Sequence, residues 1–284
     1  MPISDSLDEL RVADVDLSRY VSVSPAETVT ATIEAMRDTG FSCACVVDGG
    51  ELMGVFTQRD VLMRVLGRPR VCDLPIAEEM TRGPRTMRDD QSVADGLGIM
   101  REWWVRSVPV LDEQGTFTGN LSWYTVMRTI ARLLNLPADE SQREPGVEHG
   151  LAFVDFTGLN TSTPVMVSDA DSVEVAVHHM QARAIGSVLV VDQREQLVGI
   201  VTEFDLLTRL ACTGDDLADV SVGQVMTSDV VALSARSSIA DAIEKMAERG
   251  FSHAPLLGES SRPVGIASFR DVAAYFESSL ESLG

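Results

Sequence analysis

The chain repeats one pattern four times, and that periodicity restricts its fold more than any other feature. Apolar residues recur at i, i+4 and i+7, each set ending in methionine: Val29/Ile33/Met36, Val93/Leu97/Met100, Val173/Val177/Met180 and Ile239/Ile243/Met246. This spacing puts three side chains on one helical face. A hydroxyl residue stands before each set as a cap candidate: Thr28, Ser92, Ser172 and Ser238. A β-rich run follows (ACVV, VPVL, VLVV, APLL), then a second run that begins with glycine (GVFTQRD, GNLSWYT, GIVTEFD, GIASFRD). From each methionine to the end of that second run is 24, 25, 25 and 25 positions. A further short strand leads into each first helix (YVSVS, PRTMR, PVMVS, VVALS), and an amphipathic helix follows each glycine run, as in VLMRVL and LLTRLA. The predicted unit is β-α-β-β-α, an α/β (α+β) design of about 60 residues.

The copies fall into two pairs. Thr57 to Ser122 is 65 positions and Thr202 to Ser268 is 66, but Ser122 to Thr202 is 80. The surplus lies in PADESQREPGVEHG, a polar stretch with two prolines that reads as a linker. The expected division is an N-terminal segment 1–14, repeats 15–69 and 70–136, a linker 137–150, and repeats 151–212 and 213–284.

Composition narrows the partners. Hydrophobic residues make up 45% of the 284-residue chain, enough for a sizeable core, while the net charge of −20 opposes nucleic acid and anionic membranes. A local basic pocket can still hold a small anion. No run approaches the ~20 apolar residues of a membrane span. The opening MPISDSLDEL has neither the basic nor the apolar region of a secretory leader, so a cytoplasmic location is expected. Cys43, Cys45, Cys72 and Cys212 are too few for a disulfide framework and read as buried thiols, with Cys43 and Cys45 on one strand face.

Chemistry concentrates at the end of each glycine run. Thr57, Thr202 and Ser268 offer a hydroxyl and a nearby N–H at a strand-to-helix junction, where the helix dipole favours an anion. One turn later Asp60, Asp205 and Asp271 supply two oxygens that can accept from both hydroxyls of a ribose. The same aspartates also suit plain helix capping. In the second copy Thr125 replaces the aspartate after Ser122, and Asn120 replaces an apolar residue, so a weak or empty site is expected there.

The four G-h-x-[ST]-x-x-D segments, in register and each framed by the same strands and helices, resemble the cystathionine-β-synthase (CBS) domain over about residues 15–280. The resemblance implies two pseudo-twofold pairs, called Bateman modules, that assemble as a disk, as in the regulatory γ subunit of AMP-activated protein kinase. It implies AMP, ADP, ATP or S-adenosylmethionine as a ligand in clefts between paired repeats, with no cofactor required for catalysis. By the family pattern the adenine lies near Val21, Val165 and Val231, and basic residues reach phosphate: His253 and Arg270 in the C-terminal pair, Arg106 in the N-terminal one. That modest basic supply suits a monophosphate or an adenosyl group better than ATP without a metal ion. The function implied is a non-catalytic sensor acting on a protein partner in trans, and a homodimer is compatible with it. A ligand-independent scaffold for docking or oligomerisation is the alternative.

Other features point elsewhere. His178 and His179 share a helix with no cysteine or carboxylate at metal-ligand spacing, and Trp103 and Trp104 are expected at a packing surface. Neither GxxxxGK[ST] nor GxGxxG occurs, and no Ser–His–Asp or Cys–His set stands at a recognisable spacing, so no catalytic residue is assigned.

Overall fold

The computed structural model describes residues 3–134, 156, 163–258 and 261–274. It opens with α1 (Ile3–Glu9). The first repeat runs β1 (Val21–Val23), α2 (Val29–Thr39), β2 (Cys43–Asp48), β3 (Glu51–Thr57) and the turn α3 (Gln58–Asp60). Short α4 (Ile76–Glu79) and β4 (Thr81–Arg82) lead to the second, β5 (Met87–Arg88), α5 (Val93–Glu102), β6 (Ser107–Leu111), β7 (Phe117–Ser122) and α6 (Trp123–Leu133). The third comprises β8 (Met166–Ser168), α7 (Val173–Ala182), β9 (Ser187–Val191), β10 (Leu197–Thr202) and α8 (Glu203–Arg209), followed by α9 (Val222–Val225). The fourth has β11 (Leu233–Ser234), α10 (Ile239–Arg249), β12 (His253–Leu257), β13 (Pro263–Ser268) and a helix over 269–274. The linker expected at 137–150 lies outside the described residues.

Each repeat builds the same small sheet. Its first strand pairs parallel with the second, and the second antiparallel with the third. A register shift recurs near the hairpin end of all four second–third strand pairs, at Val46/Val47, Val110/Leu111, Leu197/Gly199 and Leu256/Leu257. The heptad-like helical faces are buried as their spacing predicts, down to Met36, Met100, Met180 and Met246 at 0–1% exposure. Thr28, Ser92 and Ser238 cap their helices through side-chain oxygens, whereas Ser172 makes no such bond. The VLMRVL segment departs from expectation. Val61–Val65 forms one π-type turn rather than a longer helix, because Gly67 turns the chain at φ 74° and Pro69 starts the next turn.

The repeats contact one another in two ways. Sheet-side contacts join repeats within a pair: Phe117 N–H donates to Gly50 C=O at 3.1 Å, Tyr20 meets Phe117 edge-on at 5.1 Å, and the His253 ring lies against Gly186. Helices join across the pairs. One core unites the first and third repeats, with Met36, Phe56 and Leu62 packed with Met180, Leu206 and Leu207. A second unites the second and fourth, where α6 packs on α10, and takes in Leu7 and Val12 from the N-terminal segment. Each buried apolar side chain here contributes about 1.5–3 kcal/mol, so the pairs are held together by core and not by surface contact.

Two cysteines correct the thiol reading. Cys72 and Cys212, 140 positions apart, form a disulfide between the two pairs, from the start of the second repeat to the end of the third, with Cα atoms 5.7 Å apart. Separation in sequence hid them; the packing of repeat one on repeat three brings them together. Cys43 and Cys45 remain free and buried.

Candidate functional site

The hydroxyl–carboxylate pairs form as compact caps. Thr57 donates its N–H (2.8 Å) and its hydroxyl (2.7 Å) to Asp60 Oδ2. Thr202 does the same to Asp205 at 2.8 and 2.6 Å, and Ser268 to Asp271 at 2.6 and 2.7 Å. The capping role is therefore realised at all three aspartates. Their second oxygens are used as well in two cases: Thr81 donates to Asp60 Oδ1 at 3.3 Å and Thr227 to Asp205 Oδ1 at 2.7 Å. Arg64 and Arg209, each one turn further on, ion-pair with the same oxygens at 3.4 Å.

These threonines belong to segments that cross from the partner repeat. Met80–Thr81 passes over Gly54 and Met226–Thr227 over Gly199; a Cβ on Gly54 would lie 2.7 Å from the Met80 sulfur. Glycine is the residue that admits this approach. In the second repeat Leu17 crosses Gly119 in the same way, and its carbonyl accepts from Asn120 N–H at 2.9 Å. Each motif thus faces the strand that opens the other repeat of its pair.

This crossing borders two clefts that the C-terminal pair shares with the N-terminal one, and the second repeat's Ser122 also lines the larger. The first, about 370 Å³, joins Thr202 and Asp205 to Val230 and Val231. Its other walls carry Phe41, Tyr124, Phe204 and Phe251, and Arg19 lies over the Tyr124 ring at 4.0 Å. The second, about 200 Å³, joins Ser268 and Asp271 to Pro164 and Val165, and Arg270 lines it. The N-terminal pair divides its parts. Thr57 and Asp60 line neither cleft, and the position matching Val21, Val165 and Val231 in their partner repeat is Arg85, stacked 3.6 Å over Trp103. In the second repeat the Thr125 hydroxyl is already bonded to Asp16 C=O at 2.9 Å, and Val21 lies in the core shared by the first and third repeats and lines neither cleft.

A charged network separates the two clefts. Arg106, expected at the N-terminal pair, and His253 line both. Fully buried Glu203, the first residue of α8, ion-pairs with Arg106 and with Arg59 Nε at 2.7 Å, and accepts from Gln58 Nε2 at 3.1 Å. Arg106 also donates to Ser252 Oγ at 3.2 Å. Burial, then the charges of Arg59 and Arg270, push Arg106 down to about 9, so it stays cationic at neutral pH. Burial, then Arg106, Arg270 and Arg59, hold His253 well below the ordinary histidine range; it is a neutral hydrogen-bonding group.

Sequence reasoning missed Gln58, Arg59 and Glu203, because the two positions after the motif hydroxyl look like an exposed first helical turn. Trp103 and Trp104 are not buried: they are 45% and 69% exposed, and Arg270 lies 4.5 Å from the Trp104 ring. His178 and His179 sit 6.1 Å apart, and no metal-holding group of His, Cys, Asp or Glu occurs among the described residues. Among the same residues no helix is long and apolar enough to cross a membrane.

Comparison with known proteins agrees with the fourfold repeat. The family model for the CBS domain matches residues 12–67, 71–132, 157–212 and 222–278. The 33.4 kDa protein in the ribosomal RNA operon of Thermofilum pendens is 31% identical over 209 residues, covering 72% of this chain and 66% of that protein. The meiotically up-regulated gene 70 protein of Schizosaccharomyces pombe is 23% identical over 315 residues, covering 93% of this chain and 43% of its own length. The chain spans less than two thirds of either relative. Among solved structures, protein MJ1225 of Methanocaldococcus jannaschii, described as a candidate archaeal homologue of g-AMPK, superposes with a TM-score of 0.77 at 17% identity, covering 94% of this chain and 100% of that one. A conserved protein from Pyrococcus horikoshii gives 0.59 at 18% identity, with 94% and 99% coverage. These likenesses establish the fold.

Proposed function

The chain belongs to the CBS-domain family, and from that premise we propose that it is a non-catalytic sensor which binds adenosine-containing ligands in the two clefts of its C-terminal pair and alters a partner protein in trans. AMP, ADP, ATP and S-adenosylmethionine are the candidate ligands. One observation carries the reading: each cleft combines a hydroxyl–carboxylate pair from one repeat with an apolar first-strand wall from the other. The carboxylate suits a ribose and the valines, Val231 and Val165, suit an adenine face. The N-terminal pair has these parts in different places, so its two sites are taken as empty.

A ligand can move such a molecule only through different affinity for two conformations. The element placed to respond is the contact between pairs, because Arg106 and Gln58 of the N-terminal pair line the cleft that Asp205 borders. Ligand at a hundred times its dissociation constant raises stability by about 2.7 kcal/mol. A thermal-shift series with the four ligands tests the reading; unchanged melting with all of them would refute it.

The scaffold reading draws on one observation of its own. Thr202 and Thr227 engage both oxygens of Asp205, which makes the carboxylate a structural fastening in its own right. Replacing Asp205 and Asp271 by alanine separates the two. A scaffold keeps its partner with or without nucleotide, whereas a sensor loses its nucleotide response.

A further inference from the structure

The two clefts differ in charge as well as in volume, and the charge bears on which ligand each takes. Arg59, Arg106, Arg183 and Arg270 all line the smaller cleft, one from each repeat, and Asp271 is the one acidic residue among its lining residues. The larger cleft has Arg19, Arg106 and Arg249 against Asp205 and Asp229. At the two equivalent positions before the motif aspartate or its replacement, the larger cleft presents Tyr124 and Phe204 where the smaller presents Arg59 and Arg270. In a chain of net charge −20, that concentration of arginine is local and specific.

We propose that the smaller cleft takes an adenine nucleotide with two or more phosphates, its phosphate chain gripped by arginines from both pairs, while the larger cleft takes a less charged adenosyl group. The assignment rests on the sensor reading of the clefts and, for the smaller one, replaces the monophosphate or adenosyl group expected from the modest basic supply of His253, Arg270 and Arg106. Arg59 and Arg183, which sequence spacing did not single out, supply the additional charge. Among Arg59, Arg106 and Arg270 the buried counter-ion is Glu203, paired with two of them. Like charges held together in a partly dry site favour a polyanion over a neutral or cationic ligand. Arginine suits phosphate through its planar fork. S-Adenosylmethionine, with its sulfonium cation, is disfavoured here on the same ground. The phosphate chain also ties the pairs together, because Arg59 and Arg106 come from one pair and Arg183 and Arg270 from the other.

Calorimetric titration of the full chain with AMP, ADP, ATP, S-adenosylmethionine and inorganic tripolyphosphate, each in EDTA, tests this. The expected order at one site is ATP and ADP at least tenfold tighter than AMP, with tripolyphosphate competing against ATP. Arg59→Ala is expected to weaken ATP at least tenfold and AMP less than threefold, with Arg59→Lys recovering part of the loss. Melting of both variants near the wild-type temperature shows that they fold. If Arg59→Ala unfolds, Arg183→Ala, at an exposed position, gives the same comparison. Equal affinity for AMP and ATP, or an ATP affinity unmoved by both substitutions, overturns the polyphosphate assignment while leaving the sensor reading intact. Failure of every adenosyl ligand to bind overturns the sensor reading itself.

Discussion

Thr227 donates its hydroxyl to Asp205 Oδ1 at 2.7 Å, and Thr81 makes the matching bond to Asp60 at 3.3 Å, so each carboxylate is held by a residue that crosses from the partner repeat. The carboxylate that would meet a ribose is thereby also a fastening between repeats. Ligand binding at Asp205 then competes with a bond that stabilises the pair. Replacing Thr227 by valine is expected to cost about 1 kcal/mol of stability and to tighten binding in the larger cleft, since Asp205 Oδ1 then keeps only its 3.4 Å ion pair with Arg209. Urea unfolding and a nucleotide titration on the same variant read both effects; weaker binding together with lower stability would show that Thr227 helps to hold the ligand instead.

Glu203 is the counter-charge for two arginines from the other pair. Removing one partner of a buried ion pair leaves the other uncompensated, at about 3–5 kcal/mol. Glu203→Ala is expected to lose that much in equilibrium unfolding, and Glu203→Gln less, because the amide oxygen can still accept from Arg106 or Gln58. Equal losses in the two variants would argue that packing, not charge, matters at this position.

How far the sequence reached follows from the range of each interaction. Caps, buried methionine faces and the Thr57–Asp60 geometry all lie within one turn or one strand pair, so local spacing predicted them. The crossing of Met226–Thr227 over Gly199 decides which valine faces which aspartate, and no local pattern contains that. The sequence nonetheless held one unread signal. Arg85 stands at the same distance before its motif as Val165 and Val231 stand before theirs, which marks the first repeat's site as altered. Cys72 and Cys212 meet only because whole repeats pack, and Gln58 and Glu203 are buried for the same reason.

The disulfide gives a direct count. Denatured, unreduced protein is expected to present two thiols, from Cys43 and Cys45, rather than four. Cys72→Ser is expected to lower stability by about 2–5 kcal/mol, since the bond closes a very long loop of the unfolded chain. Four titratable thiols, or an unchanged unfolding curve, would contradict the bond.

His253 sets a pH dependence. Its folded value is depressed well below the ordinary 6.5 by burial and by Arg106, Arg270 and Arg59. The unfolded chain therefore takes up the proton first as pH falls. The stabilising contribution of neutral His253 is complete above pH ~6.5 and is lost progressively as pH falls toward the depressed folded value. Unfolding free energy measured from pH 7.5 to 5 should decline, and His253→Gln should flatten the decline. An equally steep profile in the variant would place the proton uptake elsewhere.

The most direct measurement of the central claim is binding stoichiometry in four chains: wild type, Asp60→Ala, Asp205→Ala and Asp271→Ala. Two adenosyl ligands per chain are predicted for wild type and for Asp60→Ala, and one for each of the other two. Loss of a ligand with Asp60→Ala, or two ligands retained in both Asp205→Ala and Asp271→Ala, would contradict the assignment of the clefts to the C-terminal pair.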